Sequence, residues 1–405
     1  MKKISILLFG LVILNSTFGQ WVQQISGTIQ YINSVYFTDT NTGYAVGDSG
    51  LIIQTDDGGE YWTKYDPGIN QCLQAVRFIT ADSGFVIGDF GRLMTTTNAG
   101  QNWSIQNFTS LYDLYSICFP SKNIGYISAS SGAMFKTIDG GASWQLQTTP
   151  ASFNLLSTFF INVDTGFAVG WAGTIVKTIN GGTNWEIQNI GDTNNPVSVY
   201  FTDNTTGYIV GAKQIQGLYF GIIYKTIDGG DHWTNQNPGT DAPFYSVFSP
   251  NQDTGYVVGL KWHTPEAIIL KTTNGGENWN IQASGTSKQL HSVFFINTNT
   301  GYVVGDSGII LKTINGGGLG LNEIKFNSGF IKIYPNPVTD NVTIELSTES
   351  RDADVTILTI NGKELVKQHL IYNMIQLDLS SLAQGVYFIR IKNENEIIVR
   401  KLIKK

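Results

Sequence analysis

Between residues 20 and 317, hydrophobic and polar residues alternate over short runs that recur in a fixed order. In the first unit, residues 34–37 alternate, and short apolar runs follow at residues 43–47 and 51–55. A Gly- and Asp-rich segment, residues 56–59, then precedes Trp62, which begins a fourth run. Alternating runs separated by Gly and Asp are typical of strands joined by turns. The pattern therefore predicts four antiparallel strands per unit.

Two markers show that this unit repeats along the chain. A tryptophan recurs at intervals of 41 to 48 residues, at Trp21, Trp62, Trp103, Trp144, Trp185, Trp233 and Trp279. A glycine followed by Tyr or Phe keeps the same spacing, at Gly43, Gly84, Gly125, Gly166, Gly207, Gly255 and Gly301. This period is typical of β-propeller blades, each a small sheet that cannot bury its faces alone. We therefore predict an all-β fold with a seven-bladed β-propeller.

The last unit lacks its tryptophan, and the first residues of the repeat region complete it. Residues 301–317 provide the glycine marker and the following runs, and the repeat then stops. Residues 21–28 match residues 279–286, the segment that begins with the tryptophan of the sixth unit. We therefore expect the N-terminal strand to become the outer strand of blade seven and to close the ring.

A turn motif, Thr-x-(Asp/Asn)-Gly-Gly-x-x-Trp, recurs in the blades. It resembles the Asp-box of sialidase-type propellers, which also occurs in sortilin-like receptors and in photosystem II assembly factor-like proteins. The resemblance implies a structural role, in which the Asp or Asn side chain accepts backbone N–H groups inside the turn. The position alternates between acid and amide, which an acid–base catalyst would not tolerate. The residues concerned are Asp57, Asn98, Asp139, Asn180, Asp228, Asn274 and Asn315.

The first 19 residues have the composition of a signal peptide. Lys2 and Lys3 form a basic start, residues 4–14 are apolar but too few to span a bilayer, and small residues follow. We predict a signal peptide over residues 1–19, the propeller over residues 20–317 and a linker over residues 318–329. Outside the signal peptide, no segment approaches the length of a transmembrane helix.

Residues 330–405 have a different pattern, in which alternating runs are separated by Pro-Asn-Pro and Asn-Gly. This predicts a small Ig-like β-sandwich. The module resembles the type A C-terminal sorting domain of the type IX secretion system. The residues that carry the resemblance are Pro335, Asn336, Pro337, Gly385, Tyr387, Lys401 and Lys404.

The resemblance implies that the secretion translocon and its sortase are partners of this domain. It also implies a protein that is secreted or held on the outer-membrane surface, after signal-peptide export to the periplasm. The alternative is an ordinary adhesive sandwich domain.

Charge and composition narrow the possible ligands. Residues 20–317 contain 12 Lys and Arg and 21 Asp and Glu, a net charge of −9, so nucleic acid is not expected as a partner. Cys72 and Cys118 occupy different positions of their repeats and are interpreted as small apolar fillers rather than a disulfide. Histidine and cysteine have no metal-ligand spacing, so neither metal nor cofactor is predicted.

Variation in blade length suggests where a ligand binds. Blades five and six carry insertions between their second and third strands, and blade four places Trp171 in the equivalent loop. These loops lie in adjacent blades on one face, and loops on a rigid scaffold commonly carry binding sites. Exposed aromatic side chains there would stack on sugar rings or anchor a peptide. The predicted ligand-binding residues are Trp171, Lys213, Tyr219, Phe220, Lys261, Trp262 and His263. Alternatively, Trp171 and Phe220 cover neighbouring blades.

Asp48, Asp89 and Asp306 occupy the equivalent loop of blades one, two and seven. They are weak catalytic candidates as paired carboxylates, and the alternative is that each caps its turn. A sialidase site would need a cluster of arginines, whereas this region contains only Arg77 and Arg92. The Arg-rich client patch of photosystem II assembly factor-like proteins is also not carried over.

We therefore predict a non-enzymatic, exported propeller that binds a glycan or a protein. The alternatives are an extracellular polysaccharide-active glycoside hydrolase that uses the Asp residues, and a structural or adhesive surface component.

Overall fold

The computed structural model describes residues 21–106, 108–188, 190, 194–261, 266–317, 332–345, 353–359, 363–370, 374–392 and 397–405. The chain divides into two compact units, Met1–Gly318 and Leu319–Lys405. The predicted signal peptide and linker lie outside the described residues. Within them the structure is all-β, as predicted, and its only helical segments are four single 3-10 turns, Asp48–Gly50, Asp89–Gly91, Ser130–Gly132 and Asp306–Gly308.

The described part of the first unit forms seven four-stranded antiparallel sheets. Strand β1, Val22–Gln24, belongs to the last of them. Sheet 1 contains β2 Ile32–Phe37, β3 Gly43–Gly47, β4 Leu51–Thr55 and β5 Thr63–Tyr65. Sheet 2 contains β6 Leu73–Phe78, β7 Gly84–Gly88, β8 Arg92–Thr96 and β9 Ser104–Gln106. Sheet 3 contains β10 Leu114–Cys118, β11 Gly125–Ala129, β12 Met134–Thr137 and β13 Gln145–Gln147.

The remaining sheets follow the same plan. Sheet 4 contains β14 Leu155–Phe160, β15 Gly166–Gly170, β16 Thr174–Thr178 and β17 Glu186–Ile187. Sheet 5 contains β18 Asn195–Phe201, β19 Gly207–Ile215, β20 Leu218–Thr226 and β21 Thr234–Gln236. Sheet 6 contains β22 Phe244–Phe248, β23 Gly255–Lys261, β24 Glu266–Thr272 and β25 Asn280–Gln282. Sheet 7 contains β26 Leu290–Phe295, β27 Gly301–Gly305, β28 Ile310–Thr313 and β1.

Burial differs between the strands of each sheet, and it is highest in the second strand and lowest in the fourth. The second strand is buried along its whole five-residue core, as in β3 and β7, which explains its continuous apolar sequence. The fourth strand is short and largely exposed, as in β5 and β9. Each sheet therefore presents its apolar faces to neighbouring sheets and its fourth strand to solvent.

The first strand of every sheet carries a β-bulge near its start, at the second residue in six sheets and at the third in β18. The pairing register shifts there in all seven sheets, and the unpaired residues are Asn33, Gln74, Tyr115, Leu156, Val197, Tyr245 and His291. A bulge twists the strand locally and redirects the side chain of the extra residue. Each first strand thus has a redirected side chain near its start, seven in all.

Successive sheets are joined by stacked aromatic rings. Tyr302 in sheet 7 stacks on Phe37 in sheet 1 with ring centroids 3.9 Å apart, and Trp62 packs edge-on against Phe37. The same arrangement joins Tyr126 in sheet 3 to Phe160 in sheet 4, at 3.6 Å. The tyrosine of the glycine marker in one repeat therefore packs with the tryptophan of the next repeat.

A hydrogen-bonded clasp accompanies this stack at several sheet-to-sheet contacts. The Tyr302 hydroxyl and the Lys312 ammonium group both donate to the carbonyl oxygen of Gly58, at 2.6 and 2.7 Å. Equivalent pairs converge on Gly181 and Gly316. Each clasp satisfies a carbonyl that the tight turn exposes, and it fixes one sheet against the next.

The N-terminal strand completes sheet 7. Strand β1 pairs antiparallel with β28, with Val22 opposite Lys312 and Gln24 opposite Ile310. Trp21 is buried and packs edge-on against Phe295 in sheet 7 and Tyr256 in sheet 6. It occupies the same position as the tryptophans of the other sheets.

The second unit consists of two sheets around a common core. One sheet has the order β29 Lys332–Tyr334, β30 Asn341–Glu345 and β33 Met374–Asp378. The other has the order β32 Glu364–Leu370, β31 Ala353–Thr359, β34 Gly385–Lys392 and β35 Ile397–Lys404. Buried residues of both sheets form one cluster, among them Val342, Ile357 and Leu402.

The clasp between sheets 7 and 1 can be tested with Tyr302→Phe. We expect a loss of about 1 kcal/mol in the free energy of unfolding, because one hydrogen bond is removed and the ring stack is kept. Tyr208→Phe is the matched control, since the buried Tyr208 hydroxyl has no partner among the described residues. Urea denaturation measures both variants, and equal destabilisation by the two substitutions would contradict a stabilising clasp.

Candidate functional site

The loop between the second and third strands is a tight turn of one shape in five sheets. The N–H of its first residue donates to the carbonyl oxygen of the residue that immediately precedes the first strand of the same sheet. Its second residue has a φ of 55° to 58°. The first residues of these turns are Asp48, Asp89, Ser130, Trp171 and Asp306. Trp171 and the three candidate aspartates therefore occupy equivalent positions, in different sheets.

Asp48 and Asp89 are each held by the bulged amide residue of their own sheet. Asn33 donates to Asp48 at 3.0 Å, and the Cys72 thiol donates to the same oxygen at 2.9 Å. Gln74 donates to Asp89 at 2.9 Å. These hydrogen bonds orient both carboxylates toward the bulges rather than into the turn itself.

Burial raises the pKa of Asp89, and it does so against the hydrogen bond from Gln74. The negative charges of Asp113 and Asp48 raise the pKa further. Asp113 in turn accepts the backbone N–H of Phe90 at 2.9 Å. Asp89 is thus a carboxyl group among other carboxylates, of which the sequence analysis grouped Asp48 with it but did not recognise Asp113.

Asp306 has a different partner, the imidazole of His291. The Nε2 atom of His291 lies 2.6 Å from Asp306 Oδ1, and both side chains are about three-quarters buried. The rings of Tyr31 and Tyr245 lie against the imidazole, with centroids 6.4 and 6.1 Å away. His291 is the bulged residue of sheet 7, so the pair belongs to the same set of redirected side chains.

A groove of about 480 Å³ lies beside Trp171. Its apolar walls include Phe153, Trp171, Tyr219 and Tyr245, and Asn195 contributes a polar side chain. Trp171 and Phe153 are 51% and 52% exposed, so two large aromatic surfaces face solvent. Asn195 accepts the N–H of Ala172 at 3.0 Å, which fixes the turn that carries Trp171. We call this feature the aromatic groove.

The predicted ligand-binding residues separate in the structure. Tyr219 lines the aromatic groove, whereas Lys213 and Phe220 pair across the β19–β20 hairpin and point to its opposite face. Lys261 forms an ion pair with Glu266 at 2.9 Å. Trp262 and His263 lie outside the described residues. Of the predicted set, the aromatic groove therefore brings together Trp171 and Tyr219.

Phe153 and Tyr245 are groove residues that the sequence analysis missed. Phe153 lies in the connection before β14, which has constant length, and Tyr245 is a bulged residue of a first strand. Neither residue lies in a segment whose length varies between blades, and variation in length was the signal used to find the site. An aromatic residue at the second position of a first strand is the signal that could have identified Tyr245.

The Asp-box residues lie in the turns between third and fourth strands, away from the groove residues. In the first turn, Thr55 donates to Asp57 at 2.8 Å, and the N–H groups of Gly59 and Tyr61 donate to Thr55 and Asp57. The same three bonds recur around Asn98, Asp139, Asn180, Asp228 and Asn274, and the first two recur around Asn315. Hydrogen bonds from Ser143 lower the pKa of Asp139 to about 2. These contacts are confined to the turns.

In the second unit, Asn336 connects the Pro-Asn-Pro segment to the last strand. Its amide donates to the carbonyl of Lys401 at 2.8 Å and accepts the N–H of Ile403 at 3.0 Å. The Tyr387 hydroxyl donates to the carbonyl of Ala383 at 2.8 Å. Gly385 pairs with Lys404, which is buried rather than exposed, whereas Pro335, Pro337 and Lys401 are exposed.

The described residues provide no group of three or more His, Cys, Asp or Glu that could hold a metal ion. Cys72 and Cys118 are both free thiols. Within the described part of the chain, every helical segment is too short to cross a membrane.

The family model of the photosynthesis system II assembly factor YCF48 matches residues 15–109 and 178–287, just over half of the chain. The chain belongs to the YCF48 family. Residues 332–405 match the secretion system C-terminal sorting domain. This domain marks proteins that reach the cell surface or are secreted by the type IX system, so the predicted localisation and the interaction with the secretion machinery are confirmed.

Solved structures share the fold of this YCF48-family chain at low sequence identity. YCF48 bound to D1 peptide is 19% identical, with a TM-score of 0.62 over 74% of this chain and 96% of that chain. An ancestral GH74 enzyme is 14% identical, with a TM-score of 0.61 over 94% and 63%. PorZ, a surface component of the type-IX secretion system of Porphyromonas gingivalis, is 13% identical, with a TM-score of 0.53 over 90% and 58%. No curated protein matches the chain.

Asp89→Asn tests the electrostatics of the acidic turns. The folded-state pKa of Asp89 is raised, so the wild type gains stability as the pH falls through that pKa. We expect the variant to have a higher thermal midpoint than the wild type at pH 7 and a smaller advantage near pH 4. Exposed Asp66→Asn controls for the change in net charge. A variant less stable than the wild type at pH 7 would refute this account.

Proposed function

We propose that this chain is a seven-bladed β-propeller, closed by its N-terminal strand, that the type IX secretion system exports as a binding protein. The aromatic groove is its binding site, and the ligand is a glycan or a protein. The secretion translocon and its sortase act on the C-terminal domain before the propeller meets that ligand.

The closure proposal is supported by contacts between the first and last sheets. Strand β1 pairs with β28, β26 lies against β2, and the clasp on Gly58 joins sheet 7 to sheet 1. The first strands of all seven sheets also line one cavity. These contacts support a ring with no open face between the two ends of the series of sheets.

The binding proposal depends on the exposed Trp171 in the aromatic groove. A half-exposed indole ring, with Phe153 and Tyr219 beside it, offers flat apolar surfaces to a sugar ring or an aromatic side chain. Binding grooves are typically apolar with a few polar groups that fix orientation, which is the composition here. The Asp-box residues are proposed to have only a structural role, because their side chains bond within the turns.

A glycoside hydrolase is the second candidate, and the raised pKa of Asp89 favours it. A general acid needs such a carboxyl group, with a second carboxylate at a defined separation. Asp48 lies in the neighbouring sheet, but it accepts hydrogen bonds from Asn33 and Cys72. Asp306 is paired with His291. These partners favour a structural role for Asp48 and Asp306 and leave Asp89 as the catalytic candidate.

Trp171→Ala tests the groove. The full chain is first screened on a glycan array and an extracellular-matrix protein array, and the affinity of each hit is then measured by calorimetry. We expect the variant to lose roughly tenfold or more in affinity, because a central aromatic surface is removed. Phe90→Ala removes a still more exposed aromatic ring from the turn of sheet 2 and serves as the control.

The outcomes separate the candidates. Loss of binding with Trp171→Ala alone supports the groove, and unchanged affinity excludes it. Release of reducing sugars from a polysaccharide, abolished by Asp89→Asn, would establish the hydrolase instead. A chain that binds nothing on either array would leave a structural or adhesive surface role.

Closure is tested by a chain that begins at Tyr31 and so lacks Trp21 and β1. Removing a buried tryptophan costs about 3–5 kcal/mol, so we expect the thermal midpoint to fall by about 10 °C. Ile29→Ala is the control, because that side chain is 86% exposed. Equal heat stability of the shortened and full-length chains would exclude closure by the N-terminal strand.

A further inference from the structure

One cavity in the first unit receives a side chain from the first strand of every sheet. It has a volume of about 260 Å³ and we call it the central cavity. At the fifth position of the first strand, or the sixth in the longer β18, the seven sheets contribute Tyr36, Arg77, Cys118, Phe159, Tyr200, Phe248 and Phe294. Five of these side chains are aromatic, and consecutive rings lie 4.9 to 5.4 Å apart. Arg77 interrupts this aromatic series.

The guanidinium group of Arg77 has no anionic partner among the described residues. Its carbon atom lies 5.0 Å from the centre of the Tyr36 ring, a cation–π contact. Its Nε–H group is buried and donates to no described atom. The lining of the central cavity contains neither Asp nor Glu. Arg77 as a whole is only partly buried, but burying part of a cation without a counter-ion is costly, and proteins normally pair it.

Other groups in the cavity have O–H donors that remain available. The hydroxyl oxygens of Ser34 and Ser116 accept backbone N–H groups from the neighbouring sheets, and neither hydroxyl donates to a described atom. Burial raises the pKa of Tyr200, so its hydroxyl remains protonated at neutral pH. The cavity therefore holds a guanidinium group and several free O–H donors, without a carboxylate to receive them.

We propose that the central cavity binds a small oxyanion, a phosphate or carboxylate group, through Arg77. The planar guanidinium fork matches the two oxygens of such a group, and the serine hydroxyls supply further donors. The volume is many times the space that one water molecule needs, so an oxyanion and its remaining hydration fit. The site is separate from the aromatic groove and does not depend on the function proposed for it.

Two probes, inorganic phosphate and acetate, test the site on the full chain. Each is titrated at constant ionic strength while the thermal midpoint is recorded, since a ligand of the folded state raises it with saturation. We expect saturable stabilisation by at least one probe in the wild type. Arg77→Gln should weaken that binding at least tenfold. Arg92→Gln is the matched control, because Arg92 also has a buried unpaired Nε but does not line the central cavity.

The outcomes decide the proposal in each case. No saturable effect in the wild type, or equal binding by Arg77→Gln, overturns it, as does equal weakening by Arg92→Gln. If Arg77→Gln does not fold, Arg77→Lys keeps the charge and removes the fork. Weaker binding by the Lys variant then supports the site, and wild-type affinity overturns it. Response to phosphate alone or to acetate alone identifies which oxyanion the cavity accepts.

Discussion

The contact between one sheet and the next depends on a single ring at the start of the second strand. Tyr302 shows what this ring does: its face stacks on Phe37, and its hydroxyl closes on the carbonyl of Gly58. The stack removes apolar surface from water, and the hydrogen bond sets the angle between the sheets. Because Gly301, the glycine before the ring, has no side chain, Phe295 of the same sheet can approach the backbone closely. Strand, turn and neighbouring sheet are thus fixed at one point.

The sequence was sufficient to predict the strands and their grouping, because each repeat contains its own alternation and its own turn. It did not show that the aromatic ring of the glycine marker in one repeat packs against aromatic residues of the next repeat. The ring of Tyr126 stacks on Phe160 of the following repeat, and Phe160 packs edge-on against Trp185. Such pairing follows from the packing of sheets, which a linear pattern does not contain. The β-bulges were missed for the same reason, since an extra residue in a strand leaves the period unchanged.

The candidate site was predicted only in part. Loop length pointed to Trp171 and Tyr219, which do lie together, but the pleat of the β19–β20 hairpin places Lys213 and Phe220 on its other face. Arg77 looked like an ordinary strand residue in the sequence. Its significance depends on the side chains that six other sheets place around it, and on the absence of a carboxylate in the lining of that cavity. Contacts between distant repeats therefore decide both sites.

The pairing of β1 with β28 also constrains the order in which the chain can fold. Val22 emerges early in synthesis, yet its partner Lys312 follows after nearly the whole of the first unit. Contacts between residues so far apart form slowly, because a long segment must first be organised between them. Sheets 1 to 6 can assemble from residues that are close in sequence, whereas β1 can pair only after β28 has been synthesised. We therefore expect the pairing of β1 with β28 to form late in folding.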